Sequence, residues 1–229
     1  MSQIRAQKKA KSGTATATKS TRVGVVTVVE YGRHRGTRRT RVDATAWVDA
    51  GIEILTSQSI DQVGIDKLAR LLGVTKGSFY WHFKNRAELQ SAILKRWMQS
   101  ATLRVVERVD RETEVPEERL LRLLELPLWS PRAAPAADLE LAIRAWGRRS
   151  ALARKAVEEV DAVRLNYLLT LFKSMQFSSS VALVRAHLAY AFMRYLAYLR
   201  DIDEADERRL IREGLQGLLN DRPLSNGRT

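Results

Sequence analysis

The chain has no cysteine among its 229 residues. That excludes disulfides, thiolate nucleophiles and cysteine-ligated zinc, and suits a reducing cytoplasm, where the protein is expected to reside. Histidine is nearly as scarce. His34, His82 and His187 lie far apart in sequence, whereas a metal site needs several converging ligands, so no metal or cofactor is expected. No glycine-rich phosphate cradle and no cluster of His, Asp and Glu at catalytic spacing is present, so an enzyme is not expected. No apolar run reaches the roughly 18 residues a membrane span requires. The N-terminus is basic but lacks the apolar core of a secretory leader. Alternating strand patterns are missing after residue 32, and no repeat period is visible, which leaves an all-α fold.

Charge is unevenly placed. The formal net charge is +13. Residues 1–41 hold 11 Lys/Arg and one acid, Glu30, whereas the remaining 188 residues hold 28 basic and 25 acidic side chains. Residues 1–40 therefore read as a basic, largely disordered tail with little to bury. Val23–Tyr31 (VGVVTVVEY) interrupts it with a β-branched run, expected to be extended and weakly ordered rather than a hairpin or helix. Arg38, Arg39 and Arg41 end the tail where the first helical pattern starts, in a position to meet phosphates or a minor groove.

The most informative stretch is Gly64 to Leu89, GIDKLARLLGVTKGSFYWHFKNRAEL. Ile65, Leu68, Ala69 and Leu72 form the stripe of a short amphipathic helix. Gly73 suits a left-handed helix end, and Thr75 is placed to cap a second helix over Lys76–Phe83. In that helix Val74, Phe79 and Phe83 can point inward while Lys76, Ser78, Tyr80, Trp81 and His82 crowd the rest. Two short helices around a glycine turn, the second rich in donors and aromatics, suit a helix-turn-helix DNA reader. A third helix is expected from about Asn85 past Trp97, with Leu89, Ile93 and Trp97 on one stripe.

These residues, with the upstream helix Val42–Thr56 and its Trp47, Ala50, Gly51, Ile54 and Leu55, resemble the TetR family of bacterial transcriptional regulators. The likeness covers about 55 residues, within reach of one short domain. It departs from the family pattern at Ser59, usually glycine, and at Gly64, usually Ser or Thr. The resemblance implies a helix-turn-helix domain over residues 41–86 and a helical effector-binding and dimerisation domain over 87–221, with 222–229 frayed. It implies double-stranded operator DNA as partner, a homodimer through the last two helices, and a small-molecule effector. Thr75, Tyr80, His82 and Lys84 would hold the DNA backbone, while Lys76, Ser78 and Trp81 would reach the groove. Arg41, Ile65 and Gly77 complete the expected DNA-binding set.

Further along, Pro116 opens a helix carrying Leu120, Leu121, Leu124 and Leu128. Leu126–Pro135 holds three of the five prolines and should break it. Asp138 is placed to cap a helix over Leu139–Arg149, followed by helical patterns over Ala151–Met175, Val181–Leu199 and Asp203–Leu219. Trp129, Trp146, Tyr167, Phe172, Met175 and Tyr190 are the candidate effector-pocket residues, although aromatics at helical spacing are more often plain core. Arg144, with Arg148 and Arg149, is a candidate for an acidic effector. Val181–Leu199 is apolar on more than one stripe, as a helix covered from two sides would be. The leading reading is a dimeric, effector-responsive repressor on a palindromic operator. The alternative is a sequence-tolerant architectural DNA binder using its basic tail.

Overall fold

The computed structural model describes residues 42–129, 133–199 and 203–220. The basic tail, Val23–Tyr31, Arg38, Arg39, Arg41 and the C-terminal residues 221–229 lie outside the described residues. Among the described residues there are nine α-helices and no strand, in agreement with the all-α expectation. None is long and apolar enough to cross a membrane.

The N-terminal part of the described chain is built from three helices: α1 Ala44–Ser57, α2 Ile65–Leu71 and α3 Arg86–Met98. Asp43 starts α1 by accepting from the Ala46 N–H at 2.9 Å. Asn85 starts α3 by accepting from the Glu88 N–H at 3.0 Å, and the Glu88 carboxylate accepts from the Lys84 N–H at 2.6 Å. Such caps satisfy donors that the first helical turn leaves orphaned. Trp47, Leu55, Leu68, Phe79, Leu89 and Ile93 are fully buried between these elements. Gly51 lets α1 approach α3, since a Cβ there would come within 2.8 Å of the Ile93 δ-methyl.

Helix α2 ends as the sequence predicts. Gly73 sits at φ 65°. The Val74 N–H donates to Ala69 O at 3.0 Å and the Gly73 N–H to Arg70 O at 3.2 Å, the paired bonds of a left-handed helix stop. A Cβ at Gly73 would meet nothing within 4 Å, so the cost of a side chain is conformational alone. Gly73→Ala is expected to lower stability by about 1 kcal/mol, as read from chemical denaturation.

Four local expectations change. Lys76–Trp81 forms 3-10 turns rather than an α-helix through Phe83. The Thr75 hydroxyl makes no capping bond there, because the Ser78 N–H turns instead to the Thr75 carbonyl at 3.1 Å. Asp138 lies inside a helix rather than at its start, because α6 already begins at Ala133 and runs to Gly147. The proline-rich stretch stays helical further than expected. Helix α5, Pro116–Trp129, contains Pro127 in its last turn, and Pro135 falls in the first turn of α6, where its missing N–H would have had no partner anyway.

Beyond α3 the chain passes through a π-helical turn, Gln99–Leu103, into α4, Arg104–Glu112. The remaining helices are α7 Ala151–Ser174, α8 Ser179–Tyr198 and α9 Glu204–Leu219. Ser150, Ser178 and Asp203 cap them through their side chains. The core around Trp47 and Phe79 continues without interruption through Trp97 to Ile143, Trp146, Ala153 and Val160 of α6 and α7. A second core joins Val109, Leu120, Leu124, Leu168 and Phe172 to Ala182, Ala186, Ala189 and Leu196 of α8, and to Ile211 of α9.

Candidate nucleic-acid interface and internal cavity

Phe79 anchors the segment that carries the expected reading residues. It is fully buried, edge-on to Trp47 with ring centroids 5.3 Å apart, and 5.4 Å from Phe83. Edge-to-face pairs of this kind add to the burial of the rings. With Phe79 fixed, its neighbours Tyr80 and Trp81 turn outward, 53% and 71% exposed. A tryptophan so exposed is costly on a surface that meets only water.

Thr75, Lys76, Gly77 and Lys84 are exposed beside them, and Ser78 and Ile65 are half-buried. Ser78 donates its hydroxyl hydrogen to Thr75 O at 3.0 Å, leaving its oxygen as an acceptor. The Lys76 ammonium lies 3.0 Å from the Asp66 carboxylate. That hydrogen bond raises the lysine's pKa, so Lys76 stays charged. Both partners are open to solvent, which screens the pair, so it orients the lysine more than it withholds it. His82 is half-buried and its Nε2–H donates to Val42 O at 2.9 Å. It ties the end of the reading segment to the residue that leads into α1.

The second feature is a cavity of about 580 Å³, within the roughly 300–1,000 Å³ usual for small-molecule sites. Its walls come from the π turn and α4 to α8, with Ile52 of α1 and Trp97 of α3, and they are mainly apolar, with Val105, Leu123, Leu126, Leu168 and Met193 among them. One end is highly polar. Glu140, 3% exposed, accepts from Arg144 at 3.0 Å, from Arg164 at 2.9 and 3.0 Å, and from Arg194 at 2.9 Å. Asp161 accepts from Arg144 at 3.0 and 2.5 Å and from the Tyr190 hydroxyl at 2.5 Å. Arg164 also donates to the Ala101 carbonyl in the π turn at 3.2 Å. Burial opposes the charge on Glu140, but Arg164, Arg194 and Arg144 outweigh it and hold its carboxyl below the ordinary range. Burial raises the Tyr190 hydroxyl's pKa, so Tyr190 stays protonated and donates.

Residues 48–93 match the family described as bacterial regulatory proteins, tetR family. Over those residues the chain is similar to TetR-family regulators. Among curated relatives, the transcriptional regulator SrpR of Pseudomonas putida is 38% identical over 47 residues, covering 20% of this chain and 22% of SrpR. Among solved structures, AibR in complex with isovaleryl coenzyme A and operator DNA matches with a TM-score of 0.58 at 14% identity, over 76% of this chain and 96% of that one. FadR from Bacillus subtilis in complex with stearoyl-CoA matches with a TM-score of 0.57 at 18% identity, over 78% and 99% of the two chains. At these identities the structural likeness is one of fold. The likeness to curated relatives spans only about a fifth to a third of their length.

Two of the six aromatic and Met pocket candidates line the cavity: Tyr167 and Tyr190. The Tyr167 hydroxyl donates to Asp110 at 2.6 Å. Phe172 is fully buried in the second core, against Phe177, and Met175 packs against the same core. Trp146 belongs to the first core, away from the cavity, and borders a smaller cleft with Leu55 and Arg149. Their helical spacing reflects packing, not a binding wall. Trp129's side chain lies outside the described residues. Of the arginines Arg144, Arg148 and Arg149, only the first joins the polar end; Arg148 is exposed and Arg149 pairs with Asp61 at 3.3 Å. Sequence reasoning missed Glu140, Arg164, Arg194 and Thr102. Arg194 could have been found, as the lone charge in the apolar run AYAFMRYLAY.

Proposed function

We propose that the protein is a dimeric transcriptional repressor that reads a palindromic operator and releases it when a small molecule occupies the internal cavity. The observation that carries this reading is the outward presentation of Lys76, Tyr80 and Trp81 from a segment pinned by buried Phe79. Lys76, Ser78 and Trp81 would meet base edges, while Thr75, Tyr80, Lys84 and the backbone at Gly77 would grip phosphates. Ile65 would place the start of α2 against the DNA backbone, and Arg41 would extend the grip from the tail. The hydrogen bond from His82 to Val42 gives this histidine a positioning role, holding α1 and the reading segment in register.

Two heads on a two-fold axis would reach major-groove faces about 34 Å apart, or a multiple of that. The effector would act by binding the non-operator conformer better, because equal affinity for two conformers shifts nothing. The complexes of AibR and FadR with acyl-coenzyme A support a ligand-responsive reading of this fold.

Binding-site selection on four variants tests the roles. Lys76→Ala and Trp81→Ala are expected to change which bases are preferred, each good bidentate contact being worth about 1–3 kcal/mol of discrimination. Tyr80→Phe and Lys84→Ala are expected to weaken all sequences alike. One unchanged motif across all four would remove the base-reading assignment. The excess of positive charge in residues 1–41 favours a second reading, a sequence-tolerant architectural binder. Its mark would be a steep salt dependence with no operator discrimination.

A further inference from the structure

Three guanidiniums, Arg144, Arg164 and Arg194, share two carboxylates, Glu140 and Asp161, at the polar end of the cavity. One positive charge is therefore left over in a region where Glu140 and Arg164 side chains are only 4% and 15% exposed. Uncompensated charge away from water is expensive. The other titratable groups near the cavity do not cancel it. Arg104 adds a further cation to the wall, Arg108 is paired with Glu112, and Asp110 is taken by Tyr167 and Arg119.

Two donors at the same end are buried without partners: the Arg194 Nε–H and the hydroxyl of Thr102, a residue only 3% exposed. Both residues line the cavity. Buried donors are normally satisfied, so a pair of orphans beside a surplus positive charge marks the place of a missing acceptor of negative charge. The rest of the wall is mainly apolar, with Val105, Leu123, Leu126, Leu168 and Met193 beside Trp97 and Tyr167.

We propose that the cavity holds an amphipathic monoanion, an apolar carboxylic acid whose carboxylate is received by Arg194 Nε and the Thr102 hydroxyl and whose body lies along Val105, Leu123, Leu126, Leu168 and Met193. This deepens the effector reading given above and rests on it. Thr102 stands in the π turn that joins α3 of the DNA-reading half to α4. A π turn within a helix is a frequent mark of a functional position. The acid would therefore touch the connection to the head directly.

Calorimetric titration of the full chain with decanoate, decanol and decanoyl-coenzyme A, below their micelle concentrations, tests the assignment. Decanoate is expected to bind about 10- to 100-fold more tightly than decanol, the range of a charge-assisted hydrogen bond. Thr102→Val keeps the shape and deletes one donor, and is expected to weaken decanoate about 3- to 10-fold without lowering the melting temperature of the empty protein. Arg194→Met leaves two guanidiniums against two carboxylates, so the preference for acid over alcohol is expected to vanish while Glu140 keeps two partners. Equal binding of decanoate and decanol would overturn the proposal. So would binding of decanoyl-coenzyme A alone, whose thioester offers no carboxylate, or an acid preference that survives in Arg194→Met. Operator affinity measured on the same samples separates the two readings. Decanoate that binds as described but leaves operator affinity unchanged would remove the effector role and keep the anion site. A protein that fails to bind any operator would remove the regulator reading, while the measured preference for acid over alcohol would still decide the anion site.

Discussion

Glu140→Gln is expected to cost about 3–5 kcal/mol of stability, the usual penalty for removing one partner of a buried ion pair. Glutamine keeps the size of the side chain but leaves three guanidiniums facing Asp161 alone. Arg164 is the most exposed to this loss, because Glu140 takes two of its hydrogen bonds, at 2.9 and 3.0 Å. Chemical denaturation at neutral pH measures the effect, and a change within about 1 kcal/mol would mean the network relaxes or admits water. The same residue sets a pH dependence. Its carboxyl is held below the ordinary value of 4.5 in the folded protein. A depressed carboxyl contributes stability that is complete above its unfolded value and is lost as pH falls through the folded one. The native chain should therefore lose stability below about pH 4.5 with a slope that Glu140→Gln reduces. Equal acid slopes in the two proteins would assign the loss to other carboxylates.

The N-terminal helices α1 to α3 were the more legible part of the chain, and the reason is local. Its elements are short and follow one another through tight turns, so each is specified by neighbouring residues. Gly73 needs only its own positive φ, and Phe79 and Phe83 need only the spacing that puts them on one side. Where local signals competed, the sequence misled. Asp138 looks like a cap, but four alanines and Pro135 before it are good enough for a first turn, and α6 starts earlier. Thr75 looks like a cap through its hydroxyl, but 3-10 turns bring its carbonyl to the Ser78 N–H instead.

The cavity was far less legible because it is assembled from distant helices. Glu140 and Arg194 are 54 positions apart, and Arg164 reaches the Ala101 carbonyl across 63. No periodicity within one helix announces such a meeting. What periodicity does announce is a buried face, and for Phe172 and Trp146 that face is core. A single arginine in an apolar run is the kind of signal that survives, since a buried charge must have a partner elsewhere.

Helix α8 supplies the largest expected effect on function. Along its first three turns the face in contact with the subunit's own core is made of small residues: Ala182, Ala186 and Ala189 are fully buried, and the first large residue fully buried is Leu196. Its outward face carries the large ones, with Val184, Leu188 and Tyr195 at 59%, 56% and 57% exposure. A monomer would place these the other way round, because large apolar side chains gain most from leaving water. The spacing of positions 184, 188 and 195 keeps them on one stripe, the pattern of a helix that meets another helix. On the dimeric reading proposed above, the partner would be the same stripe on a second copy, which a two-fold axis would bring face to face.

The double variant Val184→Arg, Leu188→Arg is therefore expected to be a folded monomer. More than half of each side chain is already exposed within the subunit, so helicity should be kept, while the denaturation midpoint should fall only to the value of the isolated subunit and no longer depend on protein concentration. Operator affinity should fall by about 10²–10⁴-fold, because the second head would no longer be held at a high effective concentration beside the first. Light scattering and operator titration on the same preparation decide it. A variant that stays dimeric would move the interface off α8. A monomer that binds the operator as tightly as the native protein would show that one head suffices, and with it the palindromic reading would fail.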